Sequence, residues 1–428
     1  MTPHGELLRR LEADRREIEA SLGGGRPGGQ VHDVRSGLSD PHDGGRTVAL
    51  VRFASGLRVV YKPRPLGLEA AFGELVEWWN ERAGGLDLFA PRVVDRGRYG
   101  WMELVAHEAC PDPEAAGRYY ERAGALIALS GGGLLDATDL HCGNVIAHGE
   151  HPVLVDLETL LQPRWPGEER SLLDTGLVPC WIRGPDGGSY DVSGFGAITA
   201  QRYAGAPVPL RENVVRLGGD IVSPAAFAKR LLTGFRHAAT VLCSRREDLA
   251  AADGPLRAFR RQQVRVMLRH SEIYRAALDA PGALGPDSLL RPVREPRLLE
   301  AIAAAEHGAL LGGDIPRFVA ATDSSDWTPH PTLTVRGCFT SSSYEALMAR
   351  ARRLEPALFE EQARLLSTAL ALWSLGGAMA DADSGGGHRS GSEGVAPGVQ
   401  QRHEAEVEDR GPRKEKHDEA AHARSVFL

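Results

Sequence analysis

The sequence predicts an α+β fold of two lobes: a sheet-containing N-terminal lobe around residues 35–105 and a larger helical C-terminal lobe reaching about residue 380. Three observations predict it. Residues 47–53 and 57–61 are rich in β-branched and aromatic side chains and are joined by Ala54-Ser55-Gly56, a hairpin signal. Two short apolar runs, Val145-Ile146-Ala147 and Val153-Leu154-Val155, signal a second hairpin. Beyond residue 225 apolar residues recur at helical spacing over 225–250, 256–279, 297–311 and 343–377.

The remaining elements follow in order. Residues 5–22 form an amphipathic helix with Leu7, Leu8, Leu11, Ile18 and Leu22 on one face, and a Gly/Pro-rich break covers 23–29. Residues 68–82 and 114–130 read as helices and 101–105 as a strand. Gly131 to Gly133 break the chain before a polar loop, 136–144. Within residues 384–423 the only branched apolar residues are Val395, Val399 and Val407, too few to offset ordering entropy. The expected organisation is a helix and linker (1–34), a main domain (35–380) and a disordered polar tail (381–428).

Bulk properties exclude several classes. A chain of 428 residues with a hydrophobic fraction of 42% can bury a sizeable core. Its net charge of -7 gives no reason to expect a nucleic-acid partner. No apolar run reaches the roughly 18 residues of a transmembrane segment, and the charged N-terminus is not a signal peptide. Five scattered cysteines without a CxxC pair fit a reduced, cytoplasmic protein without structural zinc.

Chemistry enters through order and spacing. Phosphoryl transfer from ATP needs a lysine on the phosphates, a carboxylate at the attacking hydroxyl, and an Asn and an Asp for Mg²⁺. Kinases supply these as a Gly-rich turn, a strand, a strand bearing Lys, a helix, an Asp followed by Asn, and a second Asp one hairpin later. Here Gly44 and Gly45 precede the first strand, and Lys62 ends the next. Glu69, Glu74 or Glu77 of the following helix could pair with Lys62. Asn144 stands five residues after Asp139, and Asp156 follows the second hairpin. Each piece alone is weak, because Asp and Asn commonly close turns. Asp156 and Glu158 say more, since they interrupt an apolar hairpin, where charges are paired or metal-bound.

These residues carry a family resemblance. The strings 40–46 (Asp-Pro-His-Asp-Gly-Gly-Arg), 61–64 (Tyr-Lys-Pro-Arg), 138–144 (Thr-Asp-Leu-His-Cys-Gly-Asn) and 156–160 (Asp-Leu-Glu-Thr-Leu) resemble the dehydratase domain of LanM (class II) lanthipeptide synthetases. Strings at 174–179, 191–194, 265–271 and 313–318 extend the match to roughly residues 35–375. The resemblance implies a kinase-like, more closely lipid-kinase-like, fold. It also implies an ATP- and Mg²⁺-dependent enzyme that phosphorylates Ser and Thr of a ribosomal precursor peptide carrying a leader, then eliminates phosphate to leave dehydroalanine or dehydrobutyrine. It assigns Lys62, Asp139, His141, Asn144, Asp156 and Glu158 to the kinase step, with Asn144 and Asp156 on the metal. Asp40, His42, Arg265 and Ser271 fall on positions linked to elimination. Chemically, an arginine suits a phosphate leaving group, and a helical reading of this stretch puts Arg269 on the same face as Arg265. A histidine such as His42 suits proton transfer.

The sequence departs from the family at Ser271, usually Thr, and Gly143, commonly Glu. A long N-terminal segment and the C-terminal cyclase with its zinc ligands have no counterpart here, so the expectation is either a gene truncated or frameshifted near residue 380 or ring closure by a separate cyclase. The alternatives are a kinase that leaves phosphopeptide, a catalytically silent peptide-binding module, and a small-molecule phosphotransferase.

Overall fold

Thr2 starts the first helix by accepting the Gly5 N–H on its hydroxyl, and Pro3 takes a position where no N–H is needed. Helix α1 (Pro3–Ser21) buries Leu7, Leu11 and Ile18, with Leu22 just beyond its end. Leu8 is 41% exposed, contrary to expectation; it lies about 100° round the helix from Leu7, at the stripe's edge. The computed structural model describes residues 2–131, 133–183, 189–196, 202–203, 206–207, 212–279, 284, 289, 293 and 295–384.

Strands β1 (Val31–Ser36), β2 (Ala49–Phe53), β3 (Arg58–Lys62), β4 (Val93–Asp95) and β5 (Gly100–Glu103) form an antiparallel sheet in the order β1-β2-β3-β5-β4. Helix α2 (Gly67–Asn80) joins β3 to β4. No local pattern predicts β1, whose largely polar residues lie at a sheet edge and whose order comes from pairing with β2. It crosses the boundary expected between residues 34 and 35. Side chains alternate across the sheet with period two. Ala49, Val51, Phe53, Val59 and Tyr61 pack against α1. Leu50, Val60 and Met102 face the other way, onto Ile146, Val153 and Val155. That second face brings the end of β3 down on the hairpin that follows helix α3 (Pro113–Ser130).

The hairpin comprises β6 (Val145–His148) and β7 (His151–Leu154). Short ribbons follow: β8 (Trp181–Arg183) with β9 (Ser189–Asp191), β10 (Arg202–Tyr203) with β11 (Ala206–Pro207), and β12 (Arg216–Leu217) with β13 (Asp220–Ile221). Helix α3 crosses α4 (Ala228–Ser244) backbone to backbone. A Cβ on Gly124 would stand 2.0 Å from the Leu231 carbonyl oxygen, and one on Gly234 would stand 1.8 Å from that of Glu121. Only glycine fits at this crossing.

After α5 (Arg246–Leu249) the expected helix over 256–279 is not found. A 3-10 turn at 255–259 leads into β14 (Gln263–Arg265), and only α6 (Ser271–Asp279) is helical. Strand β14 pairs with β15 (Val319–Ala321), which follows α7 (Pro296–Leu311), so a distant partner overrides the local helical pattern. Strands β16 (Trp327–His330) and β17 (Leu333–Val335) pair next. Helices α8 (Ser343–Arg352) and α9 (Pro356–Ser384) split the expected 343–377 helix. Most of the polar tail expected at 381–428 lies outside the described residues; residues 381–384 end α9. Among the described residues no helix is long and apolar enough to cross a membrane. All five cysteines are free thiols.

Candidate active site

Lys62 ends β3 with 1% of its surface exposed. Its Nζ donates to the Val155 carbonyl at 2.6 Å and lies 3.6 Å from Asp156 Oδ2. Burial pulls the ammonium pKa down, and Asp156 opposes the shift. The expected partner on α2 is different. Glu74 and Glu77 are exposed, and Glu69 accepts from Arg64 Nη2 at 2.6 Å while acting on Lys62 only through its field. Arg64, which the site expectation omitted, also donates to Asp156 Oδ1 at 2.5 Å. Burial would raise the Asp156 pKa, but Arg64 and Lys62 outweigh it and hold the carboxyl below its ordinary value.

Asp139 is reached from the polar loop. Its backbone is left-handed, with φ 62°, a conformation Asp tolerates. Neighbouring hydrogen bonds fix it: Leu140 N donates to Thr175 O, Cys142 N to Val192 O, and Asn144 Nδ2 to the Asp139 carbonyl at 2.8 Å. Val155 N donates to Asn144 O, which ties this loop to Asp156. Gly143 N donates to His141 Nδ1 at 3.0 Å, so the ring proton sits on Nε2, 3.9 Å from Asp139 Oδ1. Burial raises the Asp139 pKa; His141 and Arg265 pull it back, and Asp156 and Glu158 add to the rise. A carboxylate shifted upward is a better proton acceptor near neutrality.

Glu158 is 12% exposed and faces three guanidinium groups. Arg265 Nη1 lies 2.7 Å from Oε1, Arg317 Nε lies 3.3 Å from Oε2, and Arg64 Nε lies 3.4 Å from Oε2. Burial would raise the carboxyl pKa, but the arginines hold it well below the carboxylate range. Arg265 is fixed by its backbone as well, since its N–H donates to Glu158 O at 2.7 Å.

Other expected residues scatter around this centre. His42 Nδ1 donates to Ile315 O at 2.6 Å, leaving Nε2 with a lone pair when the ring is neutral. Burial lowers its pKa and Arg265 adds to the effect. Asp40 turns to α6, where Arg275 Nη2 lies 2.7 Å away. The Gly44 and Gly45 N–H groups, expected to face phosphate, are held by Asp314 at 2.5 and 2.8 Å. Two amides at positive φ form an anion-binding nest, and here a carboxylate fills it. Ser271 opens α6, and no hydrogen bond among the described residues ties it to the cluster. Arg269 is bonded to a carboxylate of its own, its Nε lying 2.7 Å from Glu306, although it and Arg265 both act on Tyr274.

Among the described residues no three His, Cys, Asp or Glu side chains form a metal site. Mg²⁺ asks less of a protein, namely one or two hard oxygen ligands beside water and phosphate. Asn144 Oδ1 accepts no hydrogen bond among the described residues, and the Asp156 side chain is 33% exposed, so these two donors fit. Arg64 and Arg317 are the site residues that sequence reasoning missed, although both stand inside the strings 61–64 and 313–318.

Over 129 residues, 28% of this chain, the sequence is 29% identical to the Lacticin 481/lactococcin biosynthesis protein LcnDR2 of Lactococcus lactis subsp. lactis. The matched stretch is 14% of that relative's length. The family described as "Domain of unknown function (DUF4135)" matches residues 1–208 and 199–321. Three quarters of the chain therefore fits one family description, and the chain belongs to the DUF4135 family.

Proposed function

We propose that this chain is an ATP-dependent dehydratase of lanthipeptide biosynthesis. It phosphorylates Ser and Thr side chains of a ribosomal precursor peptide and eliminates the phosphate, in the cytoplasm. The similarity to the Lacticin 481/lactococcin biosynthesis protein LcnDR2 supports the biosynthetic setting. One observation carries the chemistry: Lys62, Asp139, Asn144 and Asp156, from separate segments, surround one centre in the order a kinase uses.

In the first step Lys62 holds phosphate oxygens of the ATP substrate. Asp139 takes the proton of the peptide hydroxyl as its oxygen bonds to the γ-phosphorus and the bond to ADP breaks. His141 Nε2–H orients the Asp139 carboxylate. Asn144 and Asp156 would hold Mg²⁺, which neutralises charge on the transferring phosphoryl group when bound. In the second step His42 Nε2 accepts the Cα proton, and the C–H pair becomes the Cα=Cβ bond. The Cβ–O bond breaks, its electron pair leaves on the phosphate oxygen, and Arg265 holds the departing group.

A second reading, a kinase that retains phosphate, is favoured by the lack of a hydrogen bond from Ser271 to the cluster among the described residues and by the commitment of Arg269 to Glu306. Incubation with ATP, Mg²⁺ and a Ser/Thr/Cys-rich precursor peptide tests both: a loss of about 18 Da per site means dehydration, and a gain of about 80 Da means retained phosphate. An unchanged mass would sink both readings.

A further inference from the structure

We propose that Arg317 is a phosphate-holding residue of this site, forming with Arg265 a clamp for the phosphorylated Ser or Thr side chain. The proposal rests on the dehydratase reading and adds a residue to it. Three observations carry it.

The first is charge. Arg64 is matched at short range by Glu69 and Asp156, and Lys62 by Asp156. Arg265 and Arg317 share Glu158, which Arg64 also approaches, so three guanidinium groups crowd one carboxylate. The second is geometry. Charge-assisted hydrogen bonds close to about 2.7–2.9 Å. Arg265 reaches 2.7 Å from Glu158, whereas Arg317 Nε and Nη2 stay at 3.3 and 3.4 Å from a single oxygen. Arg317 Nη1 has no partner among the described residues, although the side chain is only 12% exposed. A buried guanidinium held this loosely has donors left for an incoming anion.

The third is placement. Arg265 ends β14, and Arg317 comes two residues before β15, its partner strand, with Val266 N donating to Phe318 O. The two guanidiniums thus project from paired backbones toward one carboxylate. Arg265, Arg317 and Glu158 all act on the His42 ring, whose Nδ1 is held by the Ile315 carbonyl two residues before Arg317. A phosphate monoester offers more charge and more oxygens than a carboxylate, so it can compete with Glu158 for both arginines. Its leaving dianion then forms between two fixed cations, beside the base that takes the Cα proton.

Arg317→Gln and Arg317→Lys, with the half-buried, remote Arg118→Gln as control, test the assignment. Losing one preorganised donor slows a step by on the order of 10² to 10³. Arg317→Gln is therefore expected to slow elimination far more than phosphorylation, so that phosphopeptide accumulates, with Arg317→Lys intermediate. Calorimetry with inorganic phosphate should show weaker binding to Arg317→Gln and wild-type binding to Arg118→Gln. If the wild-type protein dehydrates its precursor and Arg317→Gln does so equally fast, the clamp is wrong and the dehydratase reading stands. If the wild-type protein leaves the peptide unmodified but binds phosphate through Arg317, the dehydratase reading fails and the anion site stands. Equal loss of both steps together with a lowered melting temperature would assign Arg317 to folding alone and overturn the clamp.

Discussion

Two glutamates with arginine partners show how differently the same chemistry can be used. Glu306 on α7 receives Arg269 Nε at 2.7 Å, Arg269 Nη2 at 3.1 Å and the Tyr274 hydroxyl at 2.8 Å, and glutamate and arginine are each under 5% exposed. Its acceptors are matched and no water reaches it, so the group is a rivet between α7 and the start of α6. Glu158 is also buried, but it has more cations than it can bond well, and it adjoins Asp139 and Asp156, whose side chains are about one-third exposed. Satisfied buried pairs hold a fold together, whereas unevenly matched ones leave binding capacity over.

Substitutions can break or sharpen that contrast. The largest effect is expected at Asp139. Asp139→Asn should slow phosphoryl transfer by roughly 10² to 10⁴, read as the rate of mass gain. Its melting temperature should not fall, because the folded site already disfavours the charged carboxylate. A large loss of stability there would mean that Asp139 is structural. Next comes Glu306→Ala, which strands a buried guanidinium and should cost about 3–5 kcal/mol in denaturant unfolding. Activity per folded molecule should be unchanged, and a selective loss of elimination would return Arg269 to the site.

The pH profile sharpens the active side. The folded state lowers the His42 pKa from its ordinary 6.5. The neutral ring is therefore the favoured form, and its contribution to stability is complete above 6.5 and declines as pH falls through the lower folded value. Elimination should fall in the same acid range, with a midpoint below 6.5, and His42→Gln should abolish that dependence. A midpoint above 6.5 would remove His42 as the base. The smallest effect belongs to Leu8→Ser, expected within about 0.5 kcal/mol because the side chain faces water. Ile18→Ala on the buried face should cost about 2–5 kcal/mol in the same unfolding measurement.

Much of this was legible in the chain. The hairpins at 49–62 and 145–154, helices α1 to α3, and the spacing of Asp139, Asn144 and Asp156 follow from local patterns, because hydrophobic period and turn residues act over a few positions. Local pattern could not place Arg265. The helical reading of 256–279 put it beside Arg269, while pairing with β15, more than fifty residues downstream, made it a strand residue facing Glu158. The same long-range contacts moved Glu69 from Lys62 to Arg64, filled the Gly44–Gly45 nest with Asp314, and brought in Arg317.

By itself the sequence determined which reactive groups exist and in what order, since residue type and spacing are local properties. The tertiary structure alone decided which cation meets which carboxylate. Charges in a buried cluster choose partners by distance and by the cost of remaining unpaired, and both are set only when strands remote in sequence come together.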